Sequence, residues 1–138
     1  MNKILTNVVV TEEGVARIHQ LLGELVRDVD ATAAFLVEKS GQMLATEGEI
    51  KGLDTAAIAS LVSSSFASTR AVAKLIGEAE FEAMFQQGDR SSIFLYSLPT
   101  YDILVVIFSD LSKTGLVKVQ AAQTARALAQ ELEQMGQS

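Results

Sequence analysis

Residues 103–108 read Ile-Leu-Val-Val-Ile-Phe, without one polar side chain. A strand with a wet face alternates apolar and polar residues. A continuous β-branched run instead marks a strand covered on both faces. A chain that contains it must supply helices for two sides of a sheet. The run is also far shorter than the roughly 20 residues that a membrane span needs.

The remaining blocks supply those helices. Val8-Val9-Val10 leads into Thr11, an N-cap by residue type, followed by Glu12 and Glu13 where carboxylates suit the helix dipole. Val10 is placed to staple onto Val15. Val15, Ile18, Leu21, Leu22, Leu25, Val26 and Val29 then recur at helical spacing. Ala33–Lys39 and Met43–Thr46 flank Ser40-Gly41-Gln42, the pattern of a hairpin, and Gly48–Gly52 is a loop. Asp54 caps a second helix over Thr55–Ile76, stopped by Gly77. Strands are expected near Ala83–Phe85, at Ser92–Leu98 and at Ile103–Phe108, and a last helix from about Gly115 to Met135. Its stripe is Val117, Ala121, Thr124, Leu128, Leu132 and Met135. The order is α-β-β-α-β-β-β-α, an α+β arrangement in which short turns make the sheet antiparallel. Residues 1–10 read as an arm, 11–135 as one domain and 136–138 as a C-terminal end.

Composition narrows the function. With 49% hydrophobic and 20% charged residues the chain can bury a core. Its net charge of −6 makes it a poor partner for nucleic acid or an anionic membrane. Cysteine is absent, and His19 is the single histidine, too little for a metal site or a serine triad. Neither G-x-x-x-x-G-K-[ST] nor G-x-G-x-x-G occurs. No cofactor, metal or catalytic residue is expected. The N-terminus lacks a signal-peptide pattern, so a cytoplasmic location is expected.

The second helix carries the most information. At ~100° per residue, Ile58, Leu61, Val62, Thr69, Val72, Ala73 and Ile76 form the stripe expected to pack on the sheet. The opposite face holds Ala56, Ser60, Ser63, Ala67, Ala71 and Lys74. A solvated helix back normally carries Glu, Lys and Gln, and serine is a mediocre helix former. Either the small residues are a neutral surface, or they let another helix approach closely, most simply that of a second copy. The second reading is favoured.

Four groups were candidates for chemistry. Glu78, Glu80 and Glu82 alternate in a polar loop and read as solvated charge. His19 sits at the edge of the first helix's stripe, a packing position. Tyr101 and Asp102 read as turn residues after Pro99. Arg70, flanking the small-residue face, reads as a solvated or ion-paired arginine, with the arginine finger of a GTPase regulator as the functional alternative.

The segments Phe35-Leu36-Val37-Glu38-Lys39-Ser40-Gly41-Gln42, Leu53-Asp54-Thr55, Ala73-Lys74-Leu75-Ile76-Gly77-Glu78, Leu104–Phe108 and Gly115-Leu116-Val117, in that order and spacing, resemble the Roadblock/LC7 family over roughly residues 12–135. The resemblance implies a Roadblock/LC7 sandwich: a five-stranded antiparallel sheet with the second helix on one face and the terminal helices on the other. It implies a homodimer whose second helices lie side by side and whose sheets join through the strand Ala83, Met84, Phe85, Gln86 and Gln87, with Ala56, Ser60, Ser63 and Ala67 on the helix seam. It also implies a small Ras-like GTPase as partner, contacted by Ser63, Ser64, Ala67, Ser68, Arg70, Ala71 and Lys74. Bacterial members of this kind stimulate GTP hydrolysis in cell polarity and motility by repositioning the partner's switch regions, with no catalytic residue of their own. Some carry a C-terminal extension, and no role tied to one is expected of a chain ending at Ser138. An adaptor without effect on GTP hydrolysis and a ligand-sensing domain are the alternatives. A buried pocket would favour the latter.

Overall fold

The structure, a computed structural model, describes residues 2–5 and 8–136, and of residues 2–5 and 8–10 the backbone alone. Two short strands, β1 (Asn2–Leu5) and β2 (Val8–Thr11), pair antiparallel where the sequence reads as an arm. The Val10 side chain, expected to staple onto Val15, lies outside the described residues. Helix α1 (Glu12–Val29) starts as its residues predict: the Thr11 hydroxyl accepts from the Gly14 N–H at 3.0 Å.

Strands β3 (Ala33–Val37) and β4 (Met43–Gly48) form the expected hairpin. Helix α2 (Thr55–Leu75) begins at Asp54, whose carboxylate accepts from the Ala57 N–H at 3.0 Å. It ends one residue before Ile76, and Gly77 turns the chain away at φ +86°. Strands β5 (Ala83–Gln87), β6 (Ser92–Ser97) and β7 (Ile103–Phe108) follow. After a 3-10 turn at Leu111–Lys113 comes α3 (Thr114–Gly136).

The five strands are antiparallel in the order β4-β3-β7-β6-β5, which puts β7 at the centre and β5 on one edge. Strand β7 is covered on both sides. Leu104, Val106 and Phe108 join Ala34, Leu36 and Phe94 in a core against α1 and α3. Ile103 and Val105 join Ala33, Phe35, Val37 and Leu95 in a second core under α2. The period-2 alternation of side chains sends each strand's residues to two different layers. The α1–α3 layer closes tightly at its end: a Cβ on Gly14 would run into Met135 Sδ. In α3, Ala125 is buried beside the expected stripe while Thr124 is half-exposed.

The packing of α2 differs from the expected stripe. Its buried residues are Ala59, Val62, Phe66 and Ala73. Leu61 is 69% exposed, Val72 51% and Ile76 66%. The apolar arc read from the sequence is wider than the sheet contact: one flank reaches the sheet and the other stands clear of it. Phe66, absent from the expected stripe, is the large side chain that seats the helix, 2% exposed.

Candidate functional site

Helix α2 lies over β3 and β4 and reaches Leu95 of β6, while Gln86 and Gln87 at the β5 edge stay exposed. Two exposed shoulders result. At ~100° per residue, Ile58, Leu61, Ser65, Val72 and Ile76 share an arc of about 60°. Ser60, Ser63, Ala67 and Lys74 share another, centred about 160° away. Ser64, Ser68, Ala71 and Leu75 form the crown between them, and all four are exposed.

The first shoulder faces the sheet edge. Ile58, Leu61, Val62 and Ser65 form one wall of a groove of about 300 Å³ whose floor is Gln86, Ile93 and Leu95. Alternation along β5 turns Met84 toward this side and Ala83 and Phe85 toward the α3 layer, where the Phe85 and Phe108 rings stack with centroids 6.1 Å apart. Phe85, Gln86 and Gln87 are exposed on a strand with one unpaired edge. The apolar wall thus stands beside an open sheet edge.

The second shoulder faces the turns at one end of the sheet. Ser63 Oγ donates to the Lys39 carbonyl at 2.6 Å. Gly41, at φ +102°, takes the conformation that favours glycine, and a Cβ there would be in ordinary contact with Ser60 Cα at 3.5 Å. The Lys39 N–H in turn donates to Asp102 Oδ1 at 3.0 Å, and the Thr100 hydroxyl to Oδ2 at 2.7 Å. Asp102 is 3% exposed, and burial pushes its carboxyl above the ordinary aspartate range against the pull of these hydrogen bonds. Beside it Glu38, 1% exposed, accepts from the N–H and hydroxyl of Ser40. The sequence reading of Asp102 as a turn residue holds, but it missed the burial and the bridge to Lys39. Only long-range packing creates them.

Of the candidates for chemistry, His19, Arg70, Glu80, Tyr101 and Asp102 have side-chain partners. His19 Nδ1 meets Glu47 Oε2 at 2.7 Å, a helix-to-strand tie. Arg70 Nε lies 3.6 Å from Glu80 Oε2, and its guanidinium sits 4.7 Å from the centroid of the Tyr101 ring. Glu78 and Glu82 are exposed. Among the described residues no group of three His, Cys, Asp or Glu side chains is placed to hold a metal ion. No helix among them is long and apolar enough to cross a membrane.

The structure therefore divides the residues singled out in the sequence. Ser63, Ala67, Arg70 and Lys74 stand on the turn-facing side of α2, with Ser64, Ser68 and Ala71 on the crown, one continuous surface. Ala56, Ser60, Ser63 and Ala67 also stand on the turn-facing side, whereas Ala83–Gln87 lies beyond the opposite shoulder. The residues that the sequence reading missed are Leu61, Val72 and Ile76 as an exposed wall. Its signal was an apolar arc too wide for one sheet contact. Helix α2 thus presents small surface residues on one side and an exposed apolar wall on the other.

The sequence matches the family model described as the Roadblock/LC7 domain over residues 17–108. Among solved structures it is similar to Myxococcus xanthus MglB, with 32% identity, a TM-score of 0.85, and coverage of 93% of this chain and 96% of that one. It is equally similar to a structure described as MglB with tetrameric arrangement, at 30% identity, TM-score 0.86, and 96% and 99% coverage. The gliding protein MglB from Thermus thermophilus follows at 28% identity, TM-score 0.85, and 95% and 99% coverage. No curated protein sequence matches the chain.

Proposed function

The chain belongs to the Roadblock/LC7 family, and on that premise we propose that it is a homodimeric, MglB-like activator of a small Ras-like GTPase of the MglA kind, acting in the cytoplasm on cell polarity or motility. The observation that carries this reading is α2 with its two exposed shoulders. The apolar wall of Ile58, Leu61, Val72 and Ile76 stands beside the open edge of β5. A second copy related by a two-fold axis would lay its own α2 against that wall and extend the sheet through Ala83–Gln87. The seam then uses this wall in place of Ala56 and Ser60. The turn-facing shoulder and crown stay free for the GTPase, with Ser63, Ser64, Ala67, Ser68, Ala71 and Lys74 as its contacts. Small side chains there allow a partner's backbone to approach closely.

The activator works by differential binding. It holds the GTPase's switch regions in the hydrolysis-competent state and shifts the population toward it, with the catalytic groups coming from the partner. The test is GTP turnover by the cognate GTPase with and without this protein. Acceleration that saturates with added protein is expected. No acceleration at a several-fold excess over the GTPase refutes activation and leaves the adaptor reading.

A further inference from the structure

We propose that Arg70 is a positioning residue: stacked on Tyr101 and paired with Glu80, it pins the C-terminal half of α2 to the β6–β7 turn and so sets the shoulder offered to the partner. What the shoulder binds rests on the function proposed above. The pin is a property of the chain alone.

An arginine delivered to another protein's nucleotide needs an uncommitted guanidinium. That of Arg70 is committed within its own chain. Its Nε is buried without a hydrogen bond, its nearest carboxylate oxygen is Glu80 Oε2 at 3.6 Å, and the Tyr101 ring lies 4.7 Å from its guanidinium carbon. The cation over the aromatic face and the nearby carboxylate are the attractive contacts that hold it, and they offset the cost of an Nε buried without a hydrogen bond.

The backbone points the same way. Tyr101 sits at φ +68°, in the left-handed region where glycine or asparagine is the easy choice. Its N–H closes the turn on the Leu98 carbonyl at 2.8 Å. A glycine would satisfy that turn without strain; the tyrosine adds a ring, whose described contact is Arg70.

The C-terminal half of α2 also needs such an anchor. Beyond Phe66 the helix buries only Ala73, while Val72 and Leu75 are exposed, Leu75 by 86%. Ser63 and Arg70, seven residues apart, project from nearly the same side of the helix at ~100° per residue. Ser63 ties α2 to the β3–β4 turn, and Arg70 ties it to the β6–β7 turn. The pair fixes both the height and the rotation of the small-residue shoulder between them.

The test uses the full chain in five forms: wild type, Arg70→Ala, Tyr101→Ala, Tyr101→Phe and the double alanine variant, which reads coupling. Hydrogen exchange of the α2 amides over residues 68–76 is measured on the protein alone, and GTP turnover is titrated to saturation. Both single alanine variants are expected to speed exchange about two- to five-fold, the range of an exposed cation–π contact, with the double variant no worse than Arg70→Ala. The protein needed for half-maximal stimulation should rise by a similar factor at an unchanged maximal rate. Tyr101→Phe, which keeps the ring, should behave as wild type. Unchanged exchange in both alanine variants overturns the pin. A fall of a hundred-fold or more in the maximal rate for Arg70→Ala, with Tyr101→Ala silent, would instead identify an arginine finger. If wild type gives no stimulation, the GTPase function fails while the exchange data still decide the pin.

Discussion

Replacing Leu61 by serine separates folding from self-association. Leu61 is 69% exposed in the single chain, so the fold loses little: a few tenths of a kcal/mol, mostly helix propensity. The proposed dimer loses more. Burying a whole leucine side chain stabilises by about 1.5–3 kcal/mol, and the 69% still available here corresponds to about 1–2 kcal/mol. A two-fold seam uses the residue twice, giving about 2–4 kcal/mol per dimer. At ~1.4 kcal/mol per tenfold, the dimer dissociation constant should rise roughly 30- to 1,000-fold. Sedimentation velocity over a dilution series reads that constant, and urea unfolding at the lowest concentration reads the fold. A dissociation constant that does not move, in a protein seen to dimerise, would show that the seam does not run along Ile58–Leu61–Ile76. A large loss of urea stability in the monomer would show instead that Leu61 is part of the core.

Three further outcomes follow from the same geometry. Ala67→Arg places a long cation on the turn-facing shoulder, so GTPase stimulation should be lost while sedimentation still gives the dimer. Stimulation at the wild-type level would remove this shoulder from the contact. Phe66→Ala should cost about 3–5 kcal/mol in chemical denaturation, since Phe66 is 2% exposed and α2 has few other large anchors. A loss below about 1 kcal/mol would mean that α2 is held elsewhere. For Asp102, whose carboxyl is pushed up chiefly by burial, the protonated form is the one the fold prefers. Its contribution is fully present below the ordinary aspartate value and is lost as pH rises through the raised one. Asp102→Asn keeps an acceptor for the Lys39 N–H without the charge. Its stability relative to wild type should therefore improve from pH 4 to pH 7 in urea titrations, and a difference that is flat or falls with pH would contradict the assignment.

Much of this fold is written locally. Thr11 and Asp54 cap helices because their side chains reach N–H groups three residues on. Gly77 ends α2 because it takes a positive φ at no steric cost. The unbroken apolar run at Ile103–Phe108 required cover on both faces, and the central strand has it. Each of these follows from neighbours within a few residues, which a sequence displays directly.

Tertiary structure decided what α2 presents, and to what. Apolarity shows that a side chain leaves water, but not whether it meets the sheet or another molecule. Val62 and Leu61 therefore look alike in sequence, although one is in the core and the other on an open wall. Pairings across long stretches of chain were equally hidden: Lys39 with Asp102, Arg70 with Tyr101, and β1 with β2 in a segment without a clear turn signal. The stripe of small residues suggested a docking helix from sequence alone. Which shoulder it marks depends on how Phe66 seats the helix, a contact made only when the sheet has assembled beneath it.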